Sequence, residues 1–391
     1  MKKIAAFFTA LILFLAIIIA FHFAMSGGSL NANNKSFGTW NSPYKDLSCA
    51  AISQNMHKDT MLVLGSSEFR HGRKTPFHPV NAFKNKNVSL MTVGNSYNQC
   101  LNHAITLGAV ENKMQKRKVV LLISAPWFYK QGVTGPRYSL RFSETSYMAF
   151  MENKSIPSSI KKYVARRNET LLKDNGAMEN RVRRIDRIYV YHNGTGIDKA
   201  LYRARKAYAT DKDYITVKTM MKTGKIKTLR KYNGRIADAT PLDWQAMSME
   251  AGRMDKSKSH NKMYISDRLW KTKFARKYKK SKGLHRGENF STSSEFGDLK
   301  CFLKLCKAEN IEPMLVVLPV NGRWYDHTGL NYSKRAKFSN KIKKISDKYG
   351  AQVSDLSKYD YDPYFVQDTL HPWGKGWVKI DEAIYKFYRQ S

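Results

Sequence analysis

The sequence predicts an α/β fold in which a five-stranded parallel sheet lies between two layers of helices, as a three-layer sandwich. Three observations lead to this prediction. Four short runs consist mainly of apolar residues and a fifth short run follows the last predicted helix, amphipathic helical segments separate several of them, and the first two runs end directly at a glycine. Strands that are apolar on both faces are typical of parallel sheets covered by helices on each side.

Predicted strands and helices follow one another along the chain. The predicted strands are Met61–Leu64, Val88–Val93, Val119–Ile123, Met314–Leu318 and Gln352–Leu356. The predicted helices are Asn98–Lys116, Phe296–Asn310 and Lys334–Tyr349. Strands joined through helices favour parallel pairing, because a crossover is needed to bring the chain back to the same edge of the sheet.

The N-terminus carries one long apolar segment. Residues 4–25 are almost continuously apolar, and Lys2 and Lys3 precede them. About 20 apolar residues match the hydrocarbon thickness of a bilayer, whereas the apolar part of a cleaved signal peptide is usually about 7–15 residues long. We therefore expect a retained transmembrane anchor, although the small residues at 24–26 leave cleavage open. By the positive-inside rule, residues 1–3 stay in the cytoplasm and the rest is exported.

The exported part is strongly basic. The chain has 68 Lys and Arg against 31 Asp and Glu, a net charge of +37. Residues 26–42 are a predicted tether and residues 43–391 an extracellular domain, within which residues 151–289 hold 35 basic and 14 acidic residues. We expect this stretch to be a mostly helical insertion between the third and fourth strands. Its charge is explained either by solvated helix faces or by an anionic partner, and export excludes nucleic acid.

Residues typical of activated-serine chemistry follow the predicted strands. Ser67 comes shortly after the first strand, at the sheet edge where ligands bind in open α/β folds. Near the C-terminus, Asp368 precedes His371 by three residues. On a tight turn the carboxylate reaches Nδ1 of the imidazole and leaves Nε2 facing a serine hydroxyl. Gly94 follows the second strand, where its N–H is open to a developing oxyanion.

At these residues the sequence resembles the SGNH hydrolases, whose first block is Gly-Asp-Ser and whose last block is Asp-x-x-His. It resembles the DltD family, the D-alanyl transfer proteins of teichoic acid modification, more closely and over most of the chain. The blocks that carry this resemblance are Leu64–Glu68, Ser124–Phe128, Leu318–Asp326, Pro363–Phe365 and Asp368–Trp377.

The resemblance implies an SGNH-hydrolase-like domain outside the membrane, with Ser67, Asp368 and His371 as its catalytic triad. Aligning the blocks makes Ser67 the nucleophile, although Ser66, which replaces the usual Asp, remains an alternative. No clear block supplies the usual asparagine oxyanion donor. The backbone N–H groups of Ser67 and Gly94 are therefore the candidate donors.

The function that this resemblance implies is transfer of D-alanine to lipoteichoic or wall teichoic acid in the envelope of a Gram-positive bacterium. The expected partners are a D-alanyl donor, the polymer, an anionic membrane surface and a membrane-bound O-acyltransferase, with no metal or cofactor. Glu68 is a candidate for holding the cationic amino group of D-alanine, and Trp127 and Trp324 are candidates for the pocket walls. Two alternatives stay open: a surface esterase or thioesterase, and a non-catalytic anchored protein that binds teichoic acid.

Overall fold

A five-stranded sheet forms the centre of the structure, a computed structural model that describes residues 2–234, 241–290 and 292–390. All neighbouring strands are parallel, in the order β2-β1-β3-β4-β5. The strands are β1 (Thr60–Leu64), β2 (Ser89–Val93), β3 (Lys118–Ser124), β4 (Glu312–Leu318) and β5 (Gln352–Asp355). The predicted parallel sheet is confirmed, with small differences at the strand ends.

Helices form most of the remaining described chain. The α-helices are α1 (Lys2–Ser26), α2 (Lys35–Thr39), α3 (Pro43–Asp46), α4 (Cys49–Ser53), α5 (Pro79–Ala82), α6 (Cys100–Val110), α7 (Gly135–Ser139), α8 (Glu144–Glu152), α9 (Ser158–Leu172), α10 (Gly176–Tyr189), α11 (Gly196–Thr223), α12 (Trp244–Lys256), α13 (Asp267–Leu269), α14 (Ala275–Ser281), α15 (Glu295–Ala308), α16 (Gly322–Thr328), α17 (Tyr332–Tyr349) and α18 (Gly374–Arg389). Short 3-10 helices occupy Ser67–Arg70, Glu111–Lys113, Ala125–Phe128 and Ser357–Tyr359, and a π-helical turn occupies Trp270–Phe274.

The two faces of the sheet carry separate hydrophobic cores. Leu62 and Leu64 of β1 belong to one core, and Met61 and Val63 belong to the other, because successive side chains of a strand point to opposite faces. Helices α6, α8 and α15 contribute to the first core, and α18 together with Ala251 of α12 contributes to the second. This arrangement confirms the predicted three-layer sandwich.

The basic segment between β3 and β4 is helical through most of its described part, as predicted; residues 235–240 of it lie outside the described residues. Helices α9 and α10 pack together, and α10 contacts α11. Helix α9 contacts α15 on one side of the sheet, whereas α12 contacts α18 on the other. The insertion is therefore part of both helical layers rather than an appended lobe.

The N-terminal segment contains a helix long and apolar enough to cross a membrane. Helix α1 has a mean hydropathy of 3.0 in its most apolar window, and none of that window is buried. The segment 26–42, expected to be a tether, instead packs against the domain: Leu30, Ala32 and Phe37 are buried. Its asparagines are used for local structure, since the Asn34 side chain caps α2.

Candidate active site

Ser67 lies at the start of a 3-10 helix just beyond β1. Gly65 makes the turn possible, because a Cβ there would lie 2.2 Å from Oε1 of Glu68 and 2.8 Å from the Phe69 ring. Ser66 is buried, and its hydroxyl donates to the carbonyl of Asn95 at 3.0 Å. Ser67 is half-buried, so the second of the two serines presents its hydroxyl at the carboxyl edge of the sheet.

Asp368 and His371 lie on the segment between β5 and α18. Oδ1 of Asp368 accepts the backbone N–H groups of Leu370 and His371, both at 2.9 Å. Its Oδ2 lies 2.8 Å from Nδ1 of His371. These three bonds hold the imidazole in one orientation, with the carboxylate set to accept the proton on Nδ1.

The other imidazole nitrogen faces the serine. Nε2 of His371 lies 2.8 Å from Oγ of Ser67, although the two residues are 304 positions apart in sequence. Burial alone would raise the pKa of Asp368, but its hydrogen bonds with His371 and Leu370 hold it at about 2. The carboxylate is therefore ionised at neutral pH, and the three predicted residues form one continuous relay.

Glu68 bonds to the backbone of the turn that carries Ser67 and does not line an open pocket. Its side chain is buried, and its Oε1 accepts the backbone N–H of Ser66. Burial raises the pKa of Glu68 to about 7. The expectation that Glu68 meets the amino group of a substrate does not fit this position, since its carboxyl group is occupied by the backbone that carries Ser67.

Gly94 is also used differently from the expectation. Its N–H donates to Oδ2 of Asp46 at 3.0 Å, and the Asn95 side chain donates to the same oxygen at 2.6 Å. A Cβ on Gly94 would lie 2.5 Å from the carbonyl of Gly65. The assignment of Gly94 as an oxyanion donor is therefore corrected: the glycine lets β2 approach the serine turn, and its N–H is engaged by a carboxylate.

The described contacts of the two candidate tryptophans do not include Ser67 or His371. Trp127 is buried, 6.2 Å from the ring of His103, and His103 lies against the Gly65 carbonyl. Trp324 packs on Phe274 of the insertion at 5.0 Å. Trp127 is therefore a buried neighbour of His103, while the described contacts of Trp324 connect the insertion to α16.

A second histidine, missed in the sequence, contacts the relay. The ring of His71 stacks on His371 with centroids 3.7 Å apart and planes 12° apart. The side chain of Gln367 bonds Nδ1 of His71, and Nε1 of Trp377 donates to the His71 carbonyl at 2.9 Å. Burial and the neighbouring His371 lower the pKa of His71 to about 4, so this ring is neutral at neutral pH.

The same cluster is the one group of three metal-ligating side chains found within the described part of the chain. One ligand atom each from His71, Asp368 and His371 lies within 4.8 Å of the others. Two of these residues bind each other directly, and His371 also bonds Ser67. The nitrogen and oxygen atoms of Asp368 and His371 that could bind a metal are thus already used in the hydrogen bonds of the relay.

Asp46, a residue that no motif indicated, organises the neighbouring loop. It accepts from Gly94 and Asn95, as described above, and it lies beside the buried Lys45. Nζ of Lys45 donates to the carbonyls of Gly38 and Thr92 at 3.0 and 2.6 Å. The only available signal was a charged pair in an otherwise polar segment, which is the ordinary pattern of a surface loop.

Three exposed cations lie at the end of the 3-10 helix Ser67–Arg70 and just after it. Arg70, Arg73 and Lys74 line an open depression of about 620 Å³ together with Gly72 and Thr75. Within the described residues none of the three forms an ion pair with a carboxylate. Arg70 directly precedes His71 in the chain, and its charge contributes to lowering the pKa of His71, after the larger effects of burial and His371.

Comparison with known proteins gives the family of the chain. A family model described as DltD protein matches residues 34–389. The chain belongs to the DltD family. Membership indicates a role in teichoic acid D-alanylation, in agreement with the resemblance of the sequence blocks.

Relatives named Protein DltD match most of the chain. The protein of Bacillus subtilis (strain 168) is 29% identical over 346 residues, covering 86% of this chain and 85% of its own. The protein of Staphylococcus aureus (strain NCTC 8325 / PS 47) is 27% identical, covering 83% and 80%. That of Lacticaseibacillus rhamnosus is 23% identical, covering 87% and 80%. The range matched by the family model, residues 34–389, contains all five strands and the insertion.

Proposed function

We propose that this DltD-family chain is a membrane-anchored serine acyltransferase that places D-alanine esters on teichoic acid through Ser67. The observation that carries the proposal is the relay from Ser67 through His371 to Asp368, with both hydrogen bonds at 2.8 Å. A serine, an imidazole base and an orienting carboxylate in this order are the parts needed for covalent acyl transfer.

The first half-reaction loads the serine. His371 Nε2 accepts the proton of Ser67 Oγ while that oxygen attacks the carbonyl carbon of the D-alanyl donor, a thioester or an ester. The bond to the donor breaks, and the departing group takes the proton from His371. Asp368 stays ionised and stabilises the imidazolium between these events.

The second half-reaction transfers the acyl group. A polymer hydroxyl gives its proton to His371 and attacks the D-alanyl ester on Ser67, and Ser67 Oγ leaves with that proton. The proposed oxyanion donor in both halves is the backbone N–H of Ser67, because the first N–H groups of a helix have no partner inside it. Gly94 has no part in this proposal.

The anionic polymer is proposed to approach over Arg70, Arg73 and Lys74. A teichoic acid repeats a phosphodiester, and unpaired cations beside the nucleophile attract such a chain to the site where it reacts. Arginine is suited to this contact, since its planar guanidinium can bind two phosphate oxygens at once.

The anchor and the partner complete the proposal. Helix α1 would span the membrane with Lys2 and Lys3 inside, which puts the sandwich on the outer side. A membrane-bound O-acyltransferase in the same bilayer would then supply the activated D-alanyl group.

Hydrolysis is the second candidate activity, because Ser67 is half-exposed and water can reach it. The products separate the two activities. With acceptor polymer present, a transferase forms D-alanyl esters on the polymer, whereas an esterase or thioesterase releases free D-alanine alone.

The test of the proposal is labelling of the full-length protein with a fluorophosphonate probe. We expect the wild type and Ser66→Ala to be labelled, and Ser67→Ala and His371→Ala to be unlabelled. In cells, both unlabelled variants should lack D-alanine esters on teichoic acid while keeping normal protein levels. Full ester content in either variant would contradict the proposed role.

A further inference from the structure

Helix α11 exposes an apolar stripe along one face. Ile197, Leu201, Tyr208 and Ile215 are 73%, 47%, 56% and 38% exposed. Their spacings of four, seven and seven residues place them on one side of a helix with 3.6 residues per turn. The stripe runs over most of this 28-residue helix, and large apolar side chains in such a row indicate a contact surface.

The membrane helix contacts the same face. Asp211 lies three residues after Tyr208 and four before Ile215, so it shares their side of α11. Its Oδ2 lies 2.8 Å from Nδ1 of His22 in α1. A second contact lies nearby, where the Tyr214 ring is so close to Gly28 that a Cβ there would be 2.3 Å from it.

The position of His22 sets the depth of this contact. His22 is three residues before Met25, the end of the apolar segment, and three residues of helix are about 4.5 Å. A carboxylate paired with an imidazole is costly in hydrocarbon but is tolerated among headgroups and water. Asp211 and the stripe around it therefore belong at the boundary between lipid and water.

Basic side chains flank the stripe. Lys212 and Lys222 are exposed and Lys218 is half-exposed, and none of them forms an ion pair within the described part of the chain. Lys212 lies within one helical turn of Asp211, and Lys218 and Lys222 lie within two helical turns of Ile215. An apolar face bordered by lysines is the pattern of a helix that lies on an anionic membrane.

We propose that α11 is an interfacial helix, whose stripe enters the outer headgroup layer while Lys212, Lys218 and Lys222 meet lipid phosphates. The occupant of the exposed face is thus the lipid surface beside α1. This inference rests on the anchor role proposed for α1, and it adds a second, lateral contact that holds the catalytic domain at a fixed height and orientation.

The test is spin-label accessibility in the full-length chain, reconstituted in vesicles of phosphatidylcholine and phosphatidylglycerol. Labels are placed on Leu201→Cys and Tyr208→Cys, with Thr210→Cys as the matched control. Thr210 is also exposed, but two residues further along it points to the opposite side of α11. A label on Leu13→Cys reports on α1, in a background where the partly exposed Cys49 is Ala.

We expect labels at 201 and 208 to be several-fold more accessible to oxygen than to a water-soluble nickel chelate, relative to the label at 210. If 13 reports lipid while 201 and 208 match 210, the interfacial helix is wrong and the anchor stands. Shielding of 201 and 208 from both reagents would mean a protein cover and would also overturn the inference. Absence of lipid contact at 13 would overturn the anchor itself.

Discussion

The insertion and the loop after β1 are both basic, but their cations have different surroundings. In α9, α10 and α11 many arginines form ion pairs with carboxylates. These arginines are Arg167, Arg181, Arg183, Arg184, Arg187 and Arg205. Arg70, Arg73 and Lys74, beside the relay, form none within the described residues. A count of charges along the sequence therefore does not locate an anion site, because much of the charge in the insertion serves its own packing.

The ion pair of Arg167 illustrates the structural use of charge. Its guanidinium bonds both oxygens of the buried Asp298 at 2.8 Å, and Tyr163 donates to the same carboxylate at 2.7 Å. This arrangement joins α9 to α15. Of the two explanations for the basic charge of the insertion, an anionic partner thus remains only for cations that have no carboxylate partner.

The largest expected effect concerns the relay. Asp368→Asn keeps the shape of the side chain but cannot stabilise the imidazolium of His371 or hold its tautomer. We expect the rate of acyl transfer to fall by about 10⁴-fold, with little change in thermal stability. The measurement is the rate of acyl-enzyme formation in the full-length protein.

If a variant of the insertion lost as much acyl-transfer rate as Asp368→Asn, the charges of the insertion would also serve the reaction and would not be purely structural. The appropriate insertion variant is Arg167→Ala, because it also breaks a hydrogen-bonded ion pair.

Arg167→Ala should act on stability instead of chemistry. It leaves the Asp298 carboxylate buried with only Tyr163 as its side-chain partner, and an unpaired buried charge costs about 3–5 kcal/mol. We expect a clear drop in melting temperature and an unchanged rate in the fraction that stays folded. Arg183→Ala is the control, since its pair with Glu179 is exposed and its loss should be barely measurable.

Much of the fold followed from local patterns. Strands β1 to β4 were recognisable because burial on both faces makes them mostly apolar. The short relay segment Asp368–His371 is specified by residues only three apart. The meeting of Ser67 with His371 followed from a general property of parallel sheets, whose carboxyl ends share one edge.

The residue roles that were assigned wrongly depend on contacts that have no signal in the local sequence. Gly94 and Glu68 were correctly placed near the serine, but their bonding partners, Asp46 and the Ser66 N–H, are set by packing in three dimensions. The buried state of Phe37 was hidden by the polar composition of its segment. His71 carried one available signal, a histidine four residues after the nucleophile.

The next predicted effect is a pH dependence of folding stability, which is caused by the buried carboxyl group of Glu68. Its pKa rises from about 4.5 in the unfolded chain to about 7 in the folded one. Between these values the folded state holds one more proton, so stability falls as pH rises from 4.5 to 7 and then levels off. At 1.36 kcal/mol per unit the total is about 3 kcal/mol.

Glu68→Gln should lose this slope while keeping an oxygen acceptor for Ser66. The measurement is the free energy of unfolding in denaturant at several pH values. An identical pH dependence in wild type and variant would show that the carboxyl group stays ionised under the serine turn.

The smallest effect tests the comparison most directly. Arg70→Ala with Arg73→Ala removes two cations beside Ser67, while Lys279→Ala with Lys280→Ala removes two exposed cations of α14. None of the four forms an ion pair within the described residues. Both double variants change the net charge equally, so a general attraction would weaken equally in each. We expect the KM for a poly(glycerol phosphate) acceptor to rise about tenfold in the first variant, which corresponds to about 1.4 kcal/mol, and to change little in the second.

Labelling by fluorophosphonate should stay normal in both, because neither pair belongs to the relay. Equal increases in KM in the two variants would contradict a polymer site beside Ser67. They would show that the total charge, including that of the insertion, attracts the polymer.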